Sequence, residues 1–566
     1  MSDIPQLEHL IKLGHYARAR NLAQDLVTSE GSLRVKQLYA LAVSKSGAPE
    51  AAMNYLEPIA RANDDAETNG ILGGIYKELF KKNQSTKYAA LSRDTYEKNF
   101  AITKSYYTGI NAATMSMLAG QTKRGKEIAQ EVLSILKDPD NDFWELATQA
   151  EAFLLLKERT RSEQAFRRVR EMAATDWGKI SSVYNQLWLL NHYVAVPTEI
   201  LKLFSPPMVV AFTGHMIDHP DRPSPRFPAR IEKEIKEAIV NAIRRLNAKI
   251  GYCSVACGAD ILFAEAMEEE GGEVNLYLPF QKEDFIKSSV SFAGEQWVHR
   301  FNRLIEKHKV TYVTTGAYDN HPDLFNLTTG ILFGLSCLRS QSNHQEPHLL
   351  AVLSERDPSR KTGGVRETLQ LWPYPKNRTT INPDPFVPET PGISTTPVQS
   401  ETEATHRPVI YLVCCDTAKD EKQVEALMQE LAEPGAPASV VDVRDGYLVA
   451  GFRTIFRAIA FSDFAMKTVL KPFAKRSDIR ISLHVAPIAV SDTIIHPLSG
   501  DAITTLTNLH AITLPGTLYA TGTFAAVLAL EPGKYSFDYV DTIPAGSAKD
   551  LDVFRVLKGT PLIPGV

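Results

Sequence analysis

Cysteine is scarce in this chain. There are five, Cys253, Cys257, Cys337, Cys414 and Cys415, in 566 residues. None falls in a paired metal-ligand spacing, because Cys253 and Cys257 have no second pair downstream. That excludes a zinc framework and fits reduced thiols in a cytoplasmic setting. An excess of one charge is also lacking. The 62 basic and 66 acidic residues leave a formal net charge of −4. Nothing in that balance pulls the chain toward nucleic acid or an anionic membrane. No apolar run reaches the roughly 18 residues of a membrane span. The start, Met1-Ser2-Asp3-Ile4-Pro5, has no basic stretch before an apolar one, so no secretory signal is expected. What the chain does have is length and 44% apolar content, enough for about three to four domains with real cores.

Residues 1–200 are poor in glycine and proline, and their apolar residues recur at helical spacing. Turn-like breaks fall at Leu13-Gly14, Ser46-Gly47, Lys81–Gln84, Ala119-Gly120 and Lys157-Glu158. They are about 33–39 residues apart, near the period of tetratricopeptide helix pairs. Small residues stand where paired helices must approach, as in Tyr16-Ala17-Arg18-Ala19 and Ala51-Ala52. The segment Ser105-Tyr106-Tyr107-Thr108-Gly109-Ile110-Asn111-Ala112-Ala113-Thr114 resembles the tetratricopeptide, TRAF-binding-type region of stress-activated MAP kinase kinase kinases and bacterial signalling proteins. The resemblance implies a platform that docks protein partners and carries no chemistry of its own.

Residues 205–373 alternate apolar runs with helical ones. Strands are expected at Val209–Phe212, Val274–Leu278, Val310–Val313 and Leu349–Leu353. Helices are expected at Pro228–Leu246, Ala259–Glu270, Phe292–His308 and Pro322–Leu338. That alternation predicts a parallel, doubly wound sheet. Three glycine turns punctuate it: Thr213-Gly214-His215, Cys257-Gly258-Ala259-Asp260 and Thr362-Gly363-Gly364-Val365-Arg366-Glu367. A glycine turn that opens a helix exposes backbone N–H groups which can hold phosphate. His215 and His219, with Asp218 between them, invite a metal reading. No third ligand is obvious, and Pro220 works against a helical pair there. No metal is therefore assigned.

Gly214-His215-Met216-Ile217-Asp218, Gly258-Ala259-Asp260-Ile261-Leu262-Phe263-Ala264 and Leu278-Pro279-Phe280 together resemble the SLOG group. These are Rossmann-like domains related to LOG phosphoribohydrolases and the DprA/Smf DNA-processing proteins. The resemblance implies a nucleotide-derived ligand held by Thr213, Gly214, His215, Gly258, Ala259, Asp260, Pro279, Arg339, Gly363, Gly364 and Glu367. In LOG enzymes an Arg and a Glu act together, and Arg339 and Glu367 stand at those motif positions. The LOG loop Pro-Gly-Gly-x-Gly-Thr is incomplete here, and Arg339 is followed by Ser340. Ligand binding is therefore expected ahead of hydrolysis.

Residues 374–406 are rich in Pro, Thr and Ser and read as a flexible linker. Residues 407–566 form the last domain, with strands at Val409–Cys414, Val440–Ala450, Ile481–Val490 and Thr517–Ala520 and a helix at Glu421–Ala432. Several of its segments resemble class III adenylate/guanylate cyclases: Asp445-Gly446-Tyr447-Leu448-Val449, Arg480-Ile481-Ser482-Leu483-His484, Gly500-Asp501-Ala502-Ile503 and Leu514-Pro515-Gly516-Thr517. In that family Asp416 and Asp445 would be the metal-binding pair. Thr504 and Asn508 occupy the positions of the catalytic Asn and Arg, so the fixed positive charge for the phosphates is missing. The resemblance implies a degenerate cyclase that dimerises or senses.

The expected whole is multidomain: an all-α repeat region, an α/β doubly wound sheet, and an α+β cyclase-like domain. The expected role is a cytoplasmic signalling protein that senses a nucleotide-derived ligand and docks partners, with no cofactor certain. A phosphoribohydrolase, a weakly active cyclase and a plain scaffold are the rivals.

Overall fold

The computed structural model describes residues 3–559, less 30, 64, 220–221, 223, 315, 317–322, 357–363, 388–408, 418–420, 434–437, 445, 471–478, 489–499 and 546–547. The chain forms two compact units, one built on residues 1–206 and one on 207–537 with 542–558.

Within the first unit, which also takes in residues 538–541 of a later strand, the chain up to residue 206 is helical and runs in successive pairs. They are α1 (Ile4–Lys12) with α2 (Tyr16–Ser29), α3 (Leu33–Lys45) with α4 (Pro49–Ala62), and α5 (Ala66–Asn83) with α6 (Thr86–Thr103). Then follow α7 (Tyr106–Leu118) with α8 (Thr122–Ile135), α9 (Phe143–Leu155) with α10 (Arg159–Ala173), and α11 (Trp177–Asn191) with α12 (Thr198–Phe204). In the first five pairs the connection passes through a left-handed residue: Gly14, Gly47, Gln84, Gly120 and Lys157. A left-handed residue after a helix closes its last turn and reverses the chain. These are the breaks the sequence marks. Close approach needs small residues: a Cβ on Gly109 of α7 would lie 2.6 Å from Val132 of α8.

The second unit contains two sheets. The first comprises β1 (Met208–Gly214), β2 (Ala248–Cys253), β3 (Glu273–Leu278), β4 (Lys309–Tyr312), β5 (His348–Val352) and β6 (Arg378–Ile381). All pair in parallel, in the order β4-β3-β2-β1-β5-β6. The order reverses between β1 and β5. Between the strands run α13 (Glu232–Leu246), α14 (Ala259–Glu269), α15 (Lys282–Ser289), α16 (Glu295–Lys307), α17 (Asp323–Gln341) and α18 (Val365–Thr368). Alternate strand residues feed two cores. Val210, Phe212 and Leu350 pack with α13, α14 and α16 on one side. Val209, Ala211 and Leu349 pack with α17 on the other.

Two strands of this sheet were not expected, nor were β12 (Tyr535–Ala545) and β13 (Ala548–Lys558) of the second. β2 carries Lys249 and Gly251, which disguise an interior strand. A Cβ on Gly251 would stand 3.1 Å from the Phe263 ring, tighter than ordinary contact. β6 lies within residues read as linker, where Thr379-Thr380-Ile381 supplies a short β-branched edge strand against β5.

The second sheet comprises β7 (Val409–Asp416), β8 (Val440–Arg444), β9 (Tyr447–Phe452), β10 (Ile481–Pro487), β11 (Leu518–Thr521), β12 (Tyr535–Ala545) and β13 (Ala548–Lys558), in the order β12-β13-β11-β10-β7-β9-β8. Its helices are α19 (Glu421–Ala432), α20 (Ile455–Leu470), α21 (Asp501–Ile512) and α22 (Gly522–Ala529). The single strand expected over Val440–Ala450 is a hairpin, β8 and β9, turned at Gly446 with φ +90°.

The two sheets share one core. Val209 and Ala211 of the first belong to the same apolar cluster as Val413, Leu448 and Leu483 of the second. Helix α17 joins them. It is buried along most of its length, from Leu324 to Ser340, as expected of a helix apolar on every side. It packs on β1 and β2 and also against α22. The contact with α22 is so close that a Cβ on Gly334 would stand 1.8 Å from the Ala526 carbonyl oxygen.

Candidate functional site

The strand order reverses between β1 and β5, and the carboxyl ends of the strands at such a reversal are the place where open α/β sheets take ligands. Thr213 and Gly214 end β1 and pair with Ala351 and Val352 of β5. The next residue, His215, is 4% exposed. Its N–H donates to the Val352 carbonyl at 3.1 Å. Its ring Nε2 accepts the Ser354 N–H at 3.0 Å. A neutral imidazole that accepts at Nε2 carries its proton on Nδ1. Beyond β6, Asp384 reaches back under the turn after β5. Its Oδ1 accepts the Ser354 hydroxyl at 2.5 Å, and its Oδ2 accepts the N–H groups of Glu355 at 3.0 Å and Arg356 at 3.1 Å.

The glycines at the first and second turns have a packing reason. A Cβ on Gly214 would lie 2.5 Å from the Cβ of Ala259, and one on Gly258 would lie 2.6 Å from the Ile217 nitrogen. The turn after β1 lies directly on the start of α14, bridged through Met216 and Gly258. The Ala259 N–H, expected to face phosphate, donates to the His215 carbonyl at 3.1 Å. Asp260, in the first turn of α14, is 9% exposed. Burial pushes its carboxyl up to about 7, moderated by the Ala256 N–H at 3.4 Å. That puts its charge change near neutrality. Pro279 follows β3, two strands from β1, and its carbonyl accepts the Thr314 N–H.

The residues expected at the third turn separate. Gly364 caps α18 and its carbonyl accepts the N–H groups of Glu367 and Thr368. Glu367 is half-buried. Gly363 lies outside the described residues. Arg339 is not brought to Glu367. It sits in the last turn of α17, 3.6 Å from Glu273 at the start of β3. A helix that returns the chain between parallel strands runs antiparallel to them. Its end therefore falls at the amino edge of the sheet, about 17–20 Å of strand away from the glycine turns. The pairing carried over from the hydrolases is not formed.

The histidine pair also divides. His219 is exposed and stacks on Phe292 with ring centroids 4.1 Å apart. Asp218 caps the loop beneath it, its Oδ2 accepting the N–H groups of Arg226 at 2.6 Å and Phe227 at 2.7 Å.

In the second sheet, Asp416 ends β7. Arg480 grips it with Nε at 2.8 Å and a terminal nitrogen at 2.9 Å, and adds its backbone N–H at 3.0 Å. His510 Nε2 stands 2.9 Å from the same carboxylate, and its Nδ1 meets the Ser482 hydroxyl at 3.0 Å. Burial opposes the charged form of Asp416. The bonds from His510 and Arg480 outweigh it and hold the carboxyl well below its ordinary range. A bidentate guanidinium thus neutralises this carboxylate. Asp445 lies outside the described residues. Thr504 turns its hydroxyl to the Gly500 carbonyl, and Asn508 donates to the Pro544 carbonyl at 3.4 Å. Neither provides a cation.

Asp384 and Ser354 escaped the sequence reading because Asp384 stood in the presumed linker. Asn382-Pro383-Asp384-Pro385 after Thr379-Thr380-Ile381 is a strand-then-turn signal that could have marked it.

Among known families, the Tetratricopeptide Repeats-Sensor model matches residues 15–116. With the paired helices and their left-handed turns, the first unit is tetratricopeptide-like. No curated protein matches the chain. Solved structures with some likeness include a thermophilic tetratricopeptide protein of Thermus thermophilus, 12% identical over 33% of this chain and 97% of that one, with a TM-score of 0.28. A tetratricopeptide repeat protein of Parabacteroides merdae is 9% identical over 35% of this chain and 82% of that one, TM-score 0.25. A dimeric guanylyl cyclase domain of a fusion protein from the aquatic fungus Blastocladiella emersonii is 14% identical over 28% of this chain and 99% of that one, TM-score 0.22. None of these likenesses is high enough to rest an argument on. Among the described residues no helix is long and apolar enough to cross a membrane.

Proposed function

We propose that this chain is a regulatory protein of the cytoplasm. Its helical repeats, residues 1–200, dock protein partners, as tetratricopeptide repeats are suited to do. Residues 205–373, with the edge strand that follows, act as a doubly wound, SLOG-type domain. That domain takes a nucleotide-derived ligand at the carboxyl ends of β1 and β5. Residues 407–566 act as a cyclase-like domain without cyclase activity. The observation that carries the reading is the reversal of strand order between β1 and β5. Two turns at the point where strand order reverses are tied together through His215, Ser354 and Asp384, in the place where such sheets bind ligands.

Arg339 stands against the hydrolase alternative, being held at the far edge of the sheet by Glu273. Arg480 and His510 stand against the cyclase alternative by occupying Asp416. A homodimer through residues 407–566 would use a face other than α22, which α17 covers; light scattering on the full chain tests it, and a monomeric mass removes it. The plain scaffold is the second reading, favoured by the packing reasons for Gly214 and Gly258.

Calorimetric titration of the chain with AMP, cyclic AMP, ADP-ribose and NAD separates the two. Saturable binding that Glu367→Ala weakens supports the sensor. No heat with any of the four leaves the scaffold.

A further inference from the structure

Asp384 is 6% exposed, Ser354 is fully buried and His215 is 4% exposed. A buried carboxylate is unfavourable unless hydrogen-bond donors surround it. Asp384 has three: one hydroxyl and two consecutive backbone N–H groups. Two successive amides aimed at one point form a small anion-binding concavity, and here the chain fills it with its own side chain. The effect is to fix the direction of the turn Ser354–Arg356.

That turn fixes a second group. The Ser354 N–H points at His215 Nε2, so its orientation decides which ring nitrogen keeps the proton. The side chain of Arg366 reaches the Ser354 carbonyl from α18 at 3.5 Å. The turns after β1 and β5, and the start of α18, therefore meet at Ser354, and Asp384 is what holds Ser354 in place.

We infer that Asp384 is a positioning residue for the site at the carboxyl ends of β1 and β5: by anchoring Ser354–Arg356 it sets the proton position on His215 and the shape of the ligand site. The inference rests on the ligand reading of that site. It goes beyond that reading by assigning a role to a residue outside the glycine turns.

The test uses the full chain with ¹⁵N-labelled histidine, the His215 signals being assigned with His215→Gln. Wild type is expected to show the Nδ1–H form. Asp384→Ala removes the acceptor of the Ser354 hydroxyl and of the Glu355 and Arg356 N–H groups. It is expected to give a mixture of ring forms at His215. The same variant is expected to lower affinity for ADP-ribose or AMP, whichever wild type binds, by about tenfold or more. Asp384→Glu, which keeps the carboxylate, is expected to recover part of both. A merely structural role would lower the thermal midpoint and leave the His215 signals and the affinity at low temperature unchanged, and that result overturns the inference. If wild type binds neither nucleotide, the ligand reading fails, and the His215 spectrum of Asp384→Ala decides the positioning role by itself: a shift upholds it and an unchanged spectrum ends it.

Discussion

Two carboxylates stand at comparable places in the second unit, each near the end of a central strand. Asp384 meets neutral donors: a hydroxyl and two backbone N–H groups at the end of β5. Asp416 meets the guanidinium of Arg480 and the ring of His510 at the end of β7. Neutral donors shape a loop and leave the local charge negative. Cations cancel the charge. Position within the fold is therefore a poor guide to function, and the partner of the carboxylate is a better one.

The largest expected effect comes from removing the cation-held carboxylate. Asp416→Ala strands Arg480 and His510 without their acceptor. Breaking one side of a buried pair costs about 3–5 kcal/mol. Arg480 is 35% exposed, so screening brings the expected loss to about 2–3 kcal/mol, read from the urea midpoint of the chain. Acid sharpens the same point. Folding lowers the pKa of Asp416, so its stabilisation is complete above its unfolded value of about 3.9 and is lost as pH falls below it. The acid limb of the stability profile should flatten in Asp416→Ala; an identical limb in both proteins would contradict the ion-pair account.

Gly334→Leu tests whether the regions around the two carboxylates form one folding unit. Forcing α17 from α22 is expected to destabilise the unit by about 2 kcal/mol. Because the core is shared, both sheets should lose stability in one transition. A variant in which only one melts earlier would divide the core. Asp384→Ala leaves three donors without their acceptor and is expected to cost about 1–2 kcal/mol, seen as a lowered thermal midpoint. The smallest effect is the sharpest comparison. Millimolar Mg²⁺ or Mn²⁺ should leave the thermal midpoint of wild type within about 1 °C, because a carboxylate neutralised by Arg480 gains nothing from added metal. A clear rise that Asp416→Asn abolishes would return Asp416 to the metal reading.

The helical repeats were legible because their signal is local. Each break fell on a left-handed residue such as Gly47 or Gly120, and a short apolar period set each helix. Most strands of the first sheet were legible from their apolar runs. β2 was not, since an interior strand with Lys249 and Gly251 looks broken until Phe263 is seen packing against it. β6 and Asp384 were hidden in a proline-rich stretch whose composition suggests no order. Arg339 was misplaced because a motif gives spacing along the chain and not the direction of a returning helix.

The sequence by itself determined the all-helical first region, the alternation that makes a parallel sheet, and the glycine positions at its turns. These follow from propensity, periodicity and the absence of a Cβ, all written within a few neighbouring residues. Tertiary structure decided that α17 serves two sheets, that Gly214 and Gly258 answer to packing, that Arg339 faces Glu273, and that Arg480 occupies Asp416. Each joins residues distant in sequence, and such pairings are fixed only when the chain is folded.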